Sequence, residues 1–315
     1  MGWDAMNDIT DDPSTRRKPL VWRCKGQDIL VGERTLIMGI LNATPDSFSD
    51  GGRFFDRSQA IEHALELVRQ GADIVDIGGE SSRPGADAVS LEEELRRVIP
   101  VIEELSGRTD RLISIDTTKA HVARRALEAG AHIVNDISAL TVDPLMAEAA
   151  AETGAGVILM HMKGTPRTMQ AQPTYEDVAG EVHAYLQERL EILTKAGLSL
   201  ECLAVDPGIG FGKTLEHNLT LLAHLPGLKS LGRPVLVGVS RKSFLGRMTG
   251  REPGDRLAAS LGAAAYAVLR GADILRVHDV KESCDLARVV DILSSEERRH
   301  GALVENSFAG PVGIS

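Results

Sequence analysis

Gly271-Ala272-Asp273-Ile274-Leu275-Arg276-Val277-His278 is the stretch on which the fold turns. A glycine suited to end a helix comes first, because glycine takes the left-handed conformation that stops one. A short apolar run follows, and then two side chains able to bind or carry charge. Gly71-Ala72-Asp73 repeats the same joint earlier in the chain. Working outward, short apolar runs recur at 36–41, 74–77, 112–115, 133–134, 157–160, 203–205, 235–239 and 274–275. The residues that close them include Asn42, Asp116, Asn135, His161, Asp206, Arg241, Arg276 and His278. Between the runs the spacing is helical. Ala60, Ile61, Ala64, Leu65, Leu67 and Val68 share one face of 58–70, and Leu95, Val98, Val101 and Ile102 share one face of 91–105. Gly130, Gly154 and Gly197 stand at further helix ends.

Strand and helix in alternation imply a parallel sheet, since parallel strands need a crossover connection. Eight such units close into a (β/α)8 TIM barrel whose strand ends meet at one mouth. Periodicity alone also permits an open sheet of eight parallel strands. No break in composition splits the chain, which favours a single barrel domain over 19–300. A flexible arm is expected at 1–18 and a flexible tail at 301–315. The short runs 20–23 and 28–31 read as an N-terminal β-hairpin closing the end opposite the mouth.

Composition narrows the function. Hydrophobic residues make up 43% and charged residues 25%, as in an ordinary soluble globular protein. Aromatics are only 3%, so the core must be built from Val, Ile, Leu and Ala, which suits strands buried on both faces. A net charge of −10 argues against a nucleic-acid partner. It also means that an anionic ligand must be drawn by a local cluster of cations. Cys24, Cys202 and Cys284 are isolated, which fits a reducing compartment. No apolar run approaches the roughly 18 residues of a membrane span, and the polar, acidic N-terminus is unlike a secretory signal. A cytoplasmic protein without a membrane partner is expected.

Several segments carry chemistry. Asn42-Ala43-Thr44-Pro45-Asp46-Ser47-Phe48-Ser49-Asp50-Gly51-Gly52 follows the first barrel strand and reads as a surface turn or a functional loop. Gly78-Gly79-Glu80-Ser81-Ser82-Arg83-Pro84-Gly85 presents one cation on a Gly-rich loop. Asp206-Pro207-Gly208-Ile209-Gly210-Phe211-Gly212-Lys213-Thr214 is close to a nucleotide P-loop, but Pro207 occupies the position of its first glycine. Its glycines suit a sharp turn beside Asp206 instead. Ser240-Arg241-Lys242-Ser243 and Arg276-Val277-His278-Asp279-Val280 put cations after strands seven and eight, where barrels frequently bind phosphate. Alternation sets Arg276 and His278 on one face. Asp116, Asn135 and Asp206 are either structural or three acceptors for a planar heterocycle bearing N–H donors. His161 is either a packing residue or a participant. The chain has no H-E-x-x-H motif or Cys/His cluster of the kind that binds zinc.

Taken together, Asn42 to Gly52, Gly78 to Gly85, 114–117, 134–136, Asp206 to Lys213, 240–243 and Arg276 to Val280 resemble the dihydropteroate synthases, over roughly residues 35–295. The resemblance implies a (β/α)8 barrel and a transferase of folate biosynthesis. That family joins p-aminobenzoate to 6-hydroxymethyl-7,8-dihydropterin diphosphate, giving 7,8-dihydropteroate and pyrophosphate. By motif position, Asp116, Asn135 and Asp206 hold the pterin, Lys242 bonds its carbonyl side and Arg276 stacks on the ring. Asn42 helps hold Mg²⁺, and Arg83, Arg276 and His278 form the anion site. Phe48, Asp50, Ser82, Arg83, Pro84 and Ser243 shape the p-aminobenzoate side, where sulfonamides act as mimics. Asp50, Arg83, Lys242 and Arg276 carry the catalytic roles. Ser82 stands where the family often has Thr. A homodimer through helices away from the mouth is implied as well. Two alternatives share the pterin pocket: a methyltetrahydrofolate-using methyltransferase barrel and a non-catalytic pterin-binding protein.

Overall fold

The structure, a computed structural model, describes residues 17–44, 57–81 and 85–308, with side chains to residue 297. Strands β1 (Leu20–Cys24) and β2 (Gln27–Val31) form an antiparallel hairpin, each one residue longer than the sequence suggests. Lys25 and Gly26 make its turn with φ of 50° and 78°. A two-residue turn with both φ values positive matches the natural twist of the flanking strands.

Eight strands follow: β3 (Leu36–Asn42), β4 (Ile74–Gly78), β5 (Leu112–Asp116), β6 (Ile133–Asp136), β7 (Gly156–Met160), β8 (Leu203–Asp206), β9 (Leu236–Val237) and β10 (Ile274–Val277). They are parallel, in the order β8-β7-β6-β5-β4-β3-β10-β9. A parallel bridge between Val205 and Val235, with the Val205 N–H donating to the Pro234 carbonyl at 2.9 Å, joins the first strand of that order to the last. The sheet therefore closes into a barrel, and the open-sheet alternative falls.

Helices cross outside between the strands: α1 (Arg57–Arg69), α2 (Leu91–Ser106), α3 (Ala120–Ala129), α4 (Met146–Thr153), α5 (Val178–Lys195), α6 (Leu215–Ala223), α7 (Leu225–Leu228), α8 (Ser243–Thr249), α9 (Leu257–Leu269) and α10 (Val280–Phe308). Ser90 caps α2 by accepting from the Glu93 N–H. Gly130 ends α3 at φ 119°, with its N–H on the Ala126 and Leu127 carbonyls. Helix α10 continues to Phe308, past the start of the expected tail at 301. Ala302, Leu303 and Glu305 are good helix formers, and Gly301 costs only about 1 kcal/mol against them.

Alternation along each strand sorts the interior. Outward residues such as Ile37, Val75, Ile77, Ile113 and Ile115 pack against the helices. Inward residues at the start of the strands form a separate apolar layer of Leu36, Met38, Ile74, Leu112, Ile133, Ile158, Ala204, Leu236 and Ile274. Trp22, Cys24 and Val31 of the hairpin complete this layer, so the hairpin plugs the floor of the barrel as expected. Trp22 is fully buried, and its indole N–H donates to the Cys202 carbonyl at 2.8 Å.

The repeated Gly-Ala-Asp joint has a shared purpose. Asp73 accepts from the Ile37 N–H at the start of β3 and pairs with Arg34. Asp273 accepts from the Val235 N–H just before β9 and pairs with Lys229. Each carboxylate ties its own strand to the strand beside it and takes a cation from outside.

Candidate active site

The alternation that makes the floor apolar makes the mouth polar. At the C-terminal ends of β3 to β6, Asn42, Gly78, Asp116 and Asn135 are lateral neighbours in register. Asp206 ends β8, and Arg276 projects from β10. One layer deeper lies Asp76, fully buried inside β4. The Arg276 guanidinium joins the two layers: Nε donates to Asp76 Oδ2 and Nη2 to Asp116 Oδ2, both at 2.6 Å. Asn135 Nδ2 donates to the same Asp76 oxygen at 3.1 Å. Burial raises the Asp116 pKa, against the pull of Arg276.

Asp206 is fixed by the glycine-rich turn that follows it. The Gly208 N–H donates to Asp206 Oδ1 at 2.7 Å. Gly208 sits at φ 68°, and a Cβ there would lie 1.9 Å from the His161 carbonyl oxygen. Only glycine fits both the conformation and the space. The segment is thus a turn beside Asp206, not a nucleotide P-loop. Burial pushes the Asp206 carboxyl up to about 6, even though the Gly208 N–H, Lys242, Arg276 and Lys213 all pull it down.

Two lysines serve this turn. Lys242 precedes α8, and its ammonium lies 3.9 Å from the centroid of the Phe211 ring. Burial and the neighbouring Arg276 bring its pKa down to about 8. Lys213 is buried and donates to the His161 and Phe211 carbonyls at 3.2 and 3.0 Å. Its Nζ also lies 3.0 Å from His161 Nδ1. Burial lowers Lys213 to about 7 and, with Lys213 beside it, lowers His161 to about 3. His161 packs edge-on against Tyr185 at 5.0 Å and accepts from the lysine, so it is a satisfied packing residue.

His278 lies half-buried beyond β10, with its ring Nδ1 3.0 Å from Ser240 Oγ. Ser243 begins α8 and is exposed. Beside the mouth, Lys119 pairs with Glu80 and Glu94, and Thr117 donates to Glu94 at 2.7 Å. This ties the loop after β4 to the loop after β5. Phe48, Asp50, Ser82, Arg83 and Pro84 lie outside the described residues.

The fold therefore brings Asp116, Asn135, Asp206, Lys242 and Arg276 to one mouth, with Asn42 and His278 at its strand ends. Sequence reasoning missed Asp76 because it lies within an apolar run. The period-2 signal was present: whatever turns Ile74 inward also turns Asp76 inward. It also missed the anchoring role of Lys213, whose partners His161 and Phe211 meet it only in the folded chain.

A family model described as pterin binding enzyme matches residues 38–278. The dihydropteroate synthase of Escherichia coli strain K12 is 50% identical over 264 residues, covering 84% of this chain and 93% of the relative. That of Synechocystis is 49% identical over 263 residues, covering 83% and 91%. Among solved structures, Yersinia pestis dihydropteroate synthase in a sulfonamide drug complex superposes with a TM-score of 0.83 at 45% identity, covering 88% of this chain and all (100%) of that one. Xanthomonas albilineans dihydropteroate synthase with 4-aminobenzoic acid gives 0.82 at 47% identity, covering 88% and 98%. Identity at this level across the whole barrel, together with the polar mouth its strands build, makes the chain a member of the dihydropteroate synthase family.

Proposed function

We propose that this barrel condenses 6-hydroxymethyl-7,8-dihydropterin diphosphate with p-aminobenzoate, releasing 7,8-dihydropteroate and pyrophosphate. The observation that carries the reading is the set of three acceptors, Asp116, Asn135 and Asp206, gathered with Lys242 and Arg276 at one mouth. A pterin offers adjacent N–H donors to such acceptors and a carbonyl to a lysine. Relatives of the same family have been solved with 4-aminobenzoic acid and with 7,8-dihydropteroate. Sulfonamides, present in the Yersinia pestis complex, compete here as p-aminobenzoate mimics.

The arylamine is a weak nucleophile, so the reaction runs by dissociative loss of pyrophosphate. The C–O bond breaks first and the pterin delocalises the positive charge. Arg276 and His278, with Arg83, receive the departing oxygens. Asp50 stabilises the cationic pterin, and Phe48, Ser82, Arg83, Pro84 and Ser243 shape the p-aminobenzoate side. The amine is neutral near pH 7 and needs no strong base to begin.

Asn42 fits a role in holding Mg²⁺. Among the described residues no group of three or more His, Cys, Asp or Glu gathers to bind a metal. One amide carbonyl at a strand end, completed by diphosphate oxygens and water, is the donor set a hard ion on phosphates prefers. When bound, the ion neutralises charge on the leaving diphosphate.

The enzyme acts as a homodimer. Leu257, Tyr266 and Leu269 on α9 and Val289, Ile292 and Leu293 on α10 are exposed on two adjoining helices on the outside of the barrel. Helical spacing puts the α10 set on one stripe. Three free cysteines support a cytoplasmic location, and the net charge of −10 speaks against a nucleic-acid partner. No helix among the described residues is long and apolar enough to cross a membrane.

The test is turnover, measured as pyrophosphate release alongside dihydropteroate formation. Product requires both substrates and Mg²⁺. Methyl transfer without pyrophosphate release is the result that favours the methyltransferase reading, and pterin binding without turnover favours a non-catalytic protein.

A further inference from the structure

Asp76 lies beneath the ligand-facing layer and touches two of the residues proposed to hold the pterin. It is fully buried. Its Oδ2 accepts from Arg276 Nε at 2.6 Å and from Asn135 Nδ2 at 3.1 Å, while its Oδ1 is buried with no partner among the described residues. A side-chain amide has one donating end and one accepting end. A carboxylate can only accept, so Asp76 dictates which end of Asn135 faces it. With Nδ2 committed to Asp76, the Asn135 carbonyl end is left to serve a ligand.

We propose that Asp76 is a positioning residue that sets the hydrogen-bond polarity of the pterin pocket. Through Asn135 it makes the pocket's third group an acceptor like Asp116 and Asp206, and through Arg276 it fixes the guanidinium against Asp116. The pocket then presents three acceptors and selects heterocycles that carry a run of donors. A heterocycle with an acceptor opposite Asn135 meets a lone pair instead of an N–H. Asp76 itself does not touch the ligand. This inference rests on the pterin reading above.

Asp76→Ala tests it by removing the acceptor. Neither end of the Asn135 amide then has a partner at 76, so the orientation is no longer enforced. The readout is a double-mutant cycle with Asn135→Ala, using calorimetric binding of unreactive 6-hydroxymethylpterin. Losing one oriented hydrogen bond weakens binding about tenfold, so each single variant is expected to lose about that factor. The double variant is expected to bind no worse than the weaker single, because Asp76 acts through Asn135. The KM for p-aminobenzoate is expected to stay within about threefold of wild type, since a residue on the pterin side does not shape that pocket.

Asp76→Asn repeats the cycle with an oxygen still present for Arg276 Nε and Asn135 Nδ2, so it is expected to keep most of the pterin affinity, and thermal midpoints report folding for each protein. Losses that multiply in the Asp76→Ala double variant, or an Asp76→Ala protein that binds pterin like wild type, overturn the positioning role. Wild-type protein that binds no pterin overturns the pterin reading itself, which separates the two failures.

Discussion

The floor and the mouth of this barrel are made by the same eight strands yet obey opposite rules. At the floor, Ile74, Leu112 and Ile274 point inward and meet Trp22 in a dry layer. Two residues further along β4 and β10, and four along β5, the same inward positions are Asp76, Arg276 and Asp116. The floor buries apolar surface and pairs its one indole N–H. The mouth holds buried carboxylates, one of them with an unpaired oxygen, and lysines stripped of much of their water. Burial of apolar area stabilises a fold, whereas desolvated charge opposes it unless fully compensated. The difference teaches where this protein draws its stability and where it gives some up to be ready for a ligand.

Trp22→Ala attacks the floor and carries the largest expected effect. Removing a fully buried indole and its hydrogen bond is expected to cost about 3–5 kcal/mol, measured by denaturant unfolding, while pterin affinity of the folded fraction is kept. If Trp22→Ala weakened ligand affinity as strongly as stability, the division between the two ends would fail.

Gly208→Ala attacks the mouth. A Cβ there would stand 1.9 Å from the His161 carbonyl oxygen at a φ of 68°. The turn must shift, and strain of about 1–3 kcal/mol is expected. Unlike the floor variant, it is expected to lose pterin binding together with the Gly208 bond to Asp206. Unchanged pterin affinity would show that this turn does not hold Asp206 in place.

A smaller effect follows from acidity. The ligand-free Asp206 carboxyl titrates at about 6, raised by burial. Pterin binding needs it as an acceptor, so affinity is expected to fall as pH drops through 6, by up to about tenfold per unit. Calorimetry between pH 7.5 and 5, choices of condition spanning about one unit or more either side of that pKa, checks this. A flat profile would remove Asp206 from the binding site.

Much of the barrel is legible in the sequence, because short apolar runs between helical segments leave little freedom in where strands begin and end. The run at 112–115 became β5, Leu112–Asp116, with its closing carboxylate at the mouth. Closure was not legible, since it depends on Val205 meeting Val235 across a bridge that no local pattern encodes. Asp116, Asn135 and Asp206 stood out because each ends a run. Asp76 did not, because Ile74, Val75 and Ile77 surround it and its partners come from β6 and β10. The continuation of α10 through 301–308 left no local signal, because the stretch after His300 is Gly- and Ala-rich without periodicity.

Asp206→Asn tests most directly whether the mouth gives up stability for binding, with unfolding and pterin affinity read on the same protein. A carboxylate whose folded pKa is raised from 3.8 to about 6 destabilises the ligand-free fold above pH 6, and the penalty fades as pH falls toward 4. Removing that charge is expected to stabilise the ligand-free protein at pH 7 by about 1–3 kcal/mol, to do so much less at pH 4, and to abolish tight pterin binding. A variant that is less stable at pH 7, or that binds pterin like wild type, would contradict the account.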